Sequence, residues 1–153
     1  MSLGIRSSIT KIISIIESIE PKTDSYNNFI CLKGLAGAGF GLEASGLSER
    51  TFDFIIRSLP EDDGFAGISL RKRIELQLRV KYNTSTNVAF KEIQMSEDVS
   101  SIINGLLNPD YDSATTGIVS IVTGQPFIDT PIQEQVQFIF LNIPFTLRFY
   151  EEM

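Results

Sequence analysis

The side chains able to move protons in this chain are carboxylates, lysines and tyrosines, because it contains no histidine. That removes the commonest general base and every Ser-His-Asp or Cys-His arrangement. Paired acids stand at Asp62-Asp63 and Glu97-Asp98, from which a carboxylate couple or a Mg²⁺ site could be built if a third acid joined them. Each pair has a plainer role. The first lies in a polar turn. The second follows Ser96, whose hydroxyl suits a helix N-cap, so that Glu97 and Asp98 complement the positive end of a helix dipole. The run Gly34-Leu-Ala-Gly-Ala-Gly-Phe-Gly41 offers bare amides of the kind that cradle phosphate. It lacks a Gly-Lys-Ser/Thr ending and the G-x-G-x-x-G spacing, and no strand leads into it. Cys31 is the single cysteine and can close no intrachain disulfide. Without histidine it completes neither a Cys/His metal site nor a nucleophilic pair. The expectation is a protein with no catalytic residues, metal or cofactor, made in a reducing compartment.

Residues that could bind are more suggestive. Arg71, Lys72, Arg73, Arg79 and Lys81 form the one dense cationic stretch. The chain as a whole is acidic, with 19 acids against 13 bases and a net charge of -6, which disfavours a phosphate-backbone binder. An acidic face of an identical neighbour is the preferred partner for Arg71, Arg73, Arg79 and Lys81; nucleic acid and a solvated strand face are the alternatives. Phe138 and Phe140 stand out of phase with the apolar period of their segment and need cover from outside the core, which marks them as candidates for a subunit interface.

These residues are positioned by a short series of elements. Ile5, Ile9, Ile12, Ile13, Ile15, Ile16 and Ile19 fall on one side of a helix, with Arg6, Ser7, Thr10, Lys11, Ser14, Glu17 and Ser18 opposite and Pro21 ending it. From Lys22 to Arg50 periodicity gives way to a Gly-rich excursion, with at most a short strand at Phe29 to Leu32. Thr51 to Arg57 alternates as a strand, and Ser58 to Ser69 reads as a connecting loop. The clearest strand follows, with Ile74, Leu76, Leu78, Val80 and Tyr82 apolar and Arg73, Glu75, Gln77, Arg79 and Lys81 polar between them; it pairs antiparallel with the strand before it. A helix runs from Ser96 to Asn108-Pro109, while Asn87 to Met95 fits either an earlier helical turn or a crossing loop. Ile118 to Thr123 is a short strand and Gln125 to Pro131 a hairpin connection. The closing strand, Val136 to Tyr150, contains Pro144, which requires an edge or a bulge there. The sum is one α+β domain over residues 1–153, a mainly antiparallel sheet of about four strands with two helices on one face, in the order α-β-β-α-β-β. No run is long and apolar enough for a membrane span, and the first helix lacks the cleavage site of a secretory signal.

Three segments carry a resemblance: Arg71-Lys-Arg-Ile-Glu-Leu-Gln-Leu-Arg-Val-Lys-Tyr82, Glu97-Asp-Val-Ser-Ser-Ile-Ile-Asn-Gly-Leu-Leu107 and Phe145-Thr-Leu-Arg-Phe-Tyr150. In this arrangement the chain resembles the tail terminator family of long-tailed bacteriophages. The resemblance implies a virion protein of the tail or neck, assembled in the host cytoplasm, with no catalytic residues. It implies a homo-oligomeric ring, a hexamer, that caps the tail tube protein, stops its polymerisation and offers its other face to the head-tail connector protein. DNA would pass through the lumen without specific binding, an acidic lumen disfavouring adhesion. Another connector or tail tube subunit, a nucleic-acid-binding module, and a small enzyme using Asp62, Asp63, Glu97 or Asp98 are the alternatives.

Overall fold

A computed structural model describes residues 3–20, 27–32, 49–66, 69–83, 88–107, 113–129 and 138–152. The elements in chain order are α1 (Ile5–Glu17), β1 (Ile30–Cys31), β2 (Thr51–Ile56), β3 (Glu61–Ala66), β4 (Ser69–Asn83), α2 (Val88–Leu106), α3 (Ser113–Thr116), β5 (Ile118–Thr123), β6 (Phe127–Asp129) and β7 (Phe138–Glu152). The α+β class holds. The expected strand number and order do not, because the described residues form a seven-stranded sheet.

The sheet is built on β4 and β7, each of 15 residues, paired antiparallel from Ser69 opposite Glu152 to Asn83 opposite Phe138. Period-two alternation assigns Ile74, Leu76, Leu78, Val80 and Tyr82 of β4, and Ile139, Leu141, Ile143, Phe145, Leu147 and Phe149 of β7, to one face, and all are buried in the core. α1 and α2 cover that face through Ile9, Ile12, Ile16, Met95, Ile102 and Leu106. Isoleucine has a helix penalty of at most about 0.7 kcal/mol, whereas burying one contributes about 1.5–3 kcal/mol. Tertiary packing therefore decides that α1 is a helix. Ser7 departs from its expected place on the polar side: it is buried, and its hydroxyl donates to the Thr116 carbonyl at 2.9 Å, with Ser8 donating to the same oxygen at 3.2 Å. Gly117 follows at φ 83°, and a Cβ there would stand 3.3 Å from the Tyr150 carbonyl and 3.4 Å from Ser8 Oγ. A glycine is required at this junction of α1, β5 and β7.

The sheet order is β1-β2-β4-β7-β5, with β3 also on β4 and β6 also on β7. β2 lies antiparallel to β4, Phe54 facing Leu78, as its alternation implies. β1 occupies the segment where a short strand was expected, and it pairs parallel to β2. β3 replaces part of the expected loop: Glu61 faces Arg73 and Asp62 faces Lys72 across the ladder. β6 likewise lies inside the expected hairpin connection, Ile128 facing Leu141.

One local expectation is corrected and a second is refined. Ser96 is not an N-cap: α2 begins at Val88, and the Ser96 hydroxyl donates to the Glu92 carbonyl one turn back at 2.9 Å. Pro144 stands in register with Gln77, without a bulge against β4, and meets the expected edge only locally, on its other side. Its carbonyl accepts from the Gly124 amide at 2.7 Å, and a strand residue aims its N–H and C=O at the same neighbour. The missing donor therefore faces the gap where β5 ends at Thr123 and β6 resumes at Phe127. The Gly34–Gly41 run, Pro21 and Asn108-Pro109 lie outside the described residues. No described helix is long and apolar enough to cross a membrane.

Candidate functional site

The face of the sheet turned away from α1 and α2 carries every candidate interface residue, in two separate groups. Arg79, Lys81, Phe138 and Phe140 gather at the Asn83 end, where Lys81 faces Phe140 across the ladder and Arg79 faces both Asp53 and Asn142. The Arg79 guanidinium donates two bonds to the Asp53 carboxylate, at 3.2 and 3.1 Å, and lies 5.2 Å from the Phe140 ring centre. The Lys81 ammonium sits 4.4 Å over Phe138, and the two phenyl rings meet edge to face at 5.3 Å. Cation–π contacts and the paired carboxylate hold the cations in fixed positions. Both are far less accessible than expected: Lys81 is 2% and Phe140 1% exposed, so Phe140 is covered within the chain and needs no neighbour for that purpose. Burial pulls the Lys81 ammonium below its ordinary pKa, because removal from water penalises the charged form. Beside this group, Gln77 donates to Asn142 Oδ1 at 2.7 Å and accepts from Arg57 at 3.1 Å, which satisfies the polar side chains in the middle of the sheet.

Arg71 and Arg73 stand at the other end of β4, six and eight residues from Arg79 and Lys81 or more, a separation of about 20 Å or greater at strand rise. Arg73 faces Arg148 of β7, and Arg71 faces Tyr150. Arg73 is ion-paired with Glu61, and these side chains are only partly buried. Arg148 belongs to this group and was missed in the sequence, although its phase with Phe138 and Phe140 along β7 signals the shared face. Between the two groups lies an open groove of about 350 Å³ floored by Glu75, Pro144 and Thr146 and bordered by Arg57 and Val122.

The acids singled out for chemistry are separated. Asp62 is exposed and 3.9 Å from the Lys72 ammonium, which also meets Glu151 at 2.9 Å; the Glu151 carboxylate, accepting that bond, raises the lysine pKa. Asp98 does not sit at a helix end. It points from the middle of α2 into the core, where Arg50 donates to its two oxygens at 3.0 and 2.5 Å and the Tyr82 hydroxyl donates at 2.5 Å. The guanidinium also donates to the Asn27 carbonyl at 2.8 Å and stacks 4.8 Å from the Phe29 ring. Burial pushes the Asp98 carboxyl pKa up, and its bonds to Tyr82 and Arg50 pull it back; burial, with the Asp98 charge beside it, lifts the Tyr82 phenol well above its usual value. Arg50 itself adopts φ 69°, a conformation unusual for a side-chain-bearing residue, fixed by its amide on Lys81 O and its carbonyl under Ile30 N. With all three side chains enclosed, this group can join α2, β1, β2 and β4 but offers a substrate no access.

Among the described residues no three His, Cys, Asp or Glu side chains gather as a metal site. No protein-family model matches the chain, and comparison with curated proteins finds no match.

Proposed function

We propose that the chain is a structural subunit of a phage tail, a terminator that forms a ring on the tail tube, stops its growth and docks the head-side connector. The observation that supports this most directly is a sheet face left partly open among the described residues. Among the described residues helices pack on one face, while the other buries Lys81, Phe140 and Asn142 at its Asn83 end and presents, beyond them, an open groove and a charged end built from Arg71, Arg73 and Arg148. An antiparallel sheet with one face available to a partner is a ready contact surface, and fixed, paired cations favour a protein surface of defined shape over a diffuse polyanion.

The test is assembly. Native mass spectrometry and negative-stain imaging of the purified chain, alone and with tail tube protein, should give a single ring that binds tube ends and blocks their extension. Stacked rings would indicate a tube subunit instead, and failure to bind a tube end would remove the terminator reading. A nucleic-acid-binding module is the second reading, favoured by the facing Arg73 and Arg148 beside Arg71. A salt-dependent DNA shift lost in Arg71→Glu/Arg73→Glu with oligomer size unchanged would establish it.

A further inference from the structure

The two lateral margins of the sheet both carry exposed apolar side chains. On one side Leu59, 80% exposed, projects from the turn after β2, next to exposed Ile56. The turn is pinned, since the Ser58 hydroxyl accepts from the Glu75 amide at 3.3 Å, so Leu59 is presented as a knob. On the other side, beyond β7, Ile128 of β6 is 51% exposed. It borders a groove of about 440 Å³ between α2 and β6, lined by Met95, Val99, Phe127 and Leu141. Among the described residues no strand lies beyond β5 and β6. Charge distinguishes the margins: exposed Arg57, which also donates to Gln77 at 3.1 Å, lies two residues before Leu59, and the acids that follow are matched by cations of β4, Glu61 by Arg73 and Asp62 by Lys72 at 3.9 Å, whereas exposed Asp129 follows Ile128 and Glu92 lines the groove.

We infer that these margins are the two halves of one contact between copies of this chain, the Leu59 knob of one protomer entering the α2–β6 groove of the next with Arg57 beside Asp129. This rests on the ring reading and names its interface. A knob and a groove on opposite sides of one sheet make a heterologous contact, which repeats from copy to copy and closes when the rotation divides the circle. A two-fold contact of β6 with β6 is disfavoured, because it leaves Leu59 in water.

The test uses two variants of the full chain. Leu59→Lys blocks the knob and Ile128→Lys blocks the groove; both sites are exposed, and unchanged circular dichroism and melting confirm folding. Each variant alone should be monomeric where the wild type assembles, and an equimolar mixture should give a dimer through its one intact knob and one intact groove. Arg57→Asp and Asp129→Arg should each weaken association at least tenfold, and the double variant should recover most of it. Dimerisation of Leu59→Lys alone would reveal a β6–β6 contact and overturn the inference. Assembly of both variants into full rings would overturn it while leaving the ring reading intact. A wild-type chain that stays monomeric, or a groove filled by tube protein in place of a second copy, would also overturn it, and the ring reading would then stand or fall on tube-end binding alone.

Discussion

At the level of single residues, the buried Arg50–Asp98–Tyr82 group is the point where charge and packing are most tightly bound together. Replacing Asp98 with alanine removes the carboxylate that accepts two bonds from the fully buried Arg50 guanidinium. The expected loss is about 3–5 kcal/mol, read from urea unfolding at neutral pH. Asp98→Asn retains an acceptor and should lose less. Cys31 supplies a pH test. Burial, then the nearby Glu17 and Asp53 charges, raise its thiol from 9.0 to about 11. A thiol pKa raised by folding contributes stability that is fully present below 9.0 and is lost as pH rises through about 11. At pH 8 the thiolate should be about a hundredfold scarcer than in an ordinary thiol, so alkylation by iodoacetamide should be slow in the folded protein and fast in urea. Equal rates in the two states would contradict the burial of this group.

Among the elements, α2 separates what the sequence discloses from what it conceals. A serine followed by two acids and an apolar stripe has the form of a helix start, yet the helix continues eight residues upstream to Val88. Ser96→Ala should accordingly change stability by no more than about 0.5 kcal/mol, against the loss of about 1 kcal/mol expected of a true cap; thermal melts of the two proteins decide this. α1, β4 and β7 were legible because long stretches of one period leave little choice of face. β3 was not, because Glu61, Asp62 and Gly64 are poor strand formers and become a strand through pairing with β4, a non-local cause. β1 and β6 are too short to show a period. The candidate surface was legible in the same measure: alternation assigned Arg73, Arg79 and Lys81 to one face, but the burial of Lys81 and Phe140 does not follow from the period of either strand. Asp98 was misassigned for the same reason, since its partner Arg50 is 48 positions away.

For the molecule as a whole, the net charge of -6 sets how assembly should respond to salt. Copies that repel one another overall while meeting through Arg57 and Asp129 should associate differently as the Debye length falls from about 10 Å at 0.1 M to about 3 Å at 1 M. The apolar part of the proposed contact should persist under these conditions, so rings that close through it are expected to survive high salt; light scattering across a salt series measures this. Dissociation of the ring by 1 M salt would indicate a contact made chiefly of ion pairs.

The full-length pairing of β4 with β7 has a mechanical meaning for such a role. Fifteen residues on each strand span about 50 Å. Tension applied along the strands loads the whole ladder in shear, so its bonds must yield together, whereas tension across them would open it one rung at a time. A neighbour gripping the sheet by its lateral margins pulls across the strands, where the two helices clamp the ladder from behind. A connector and a tube pulling on opposite ends of the strands would meet the stiff direction of the protein.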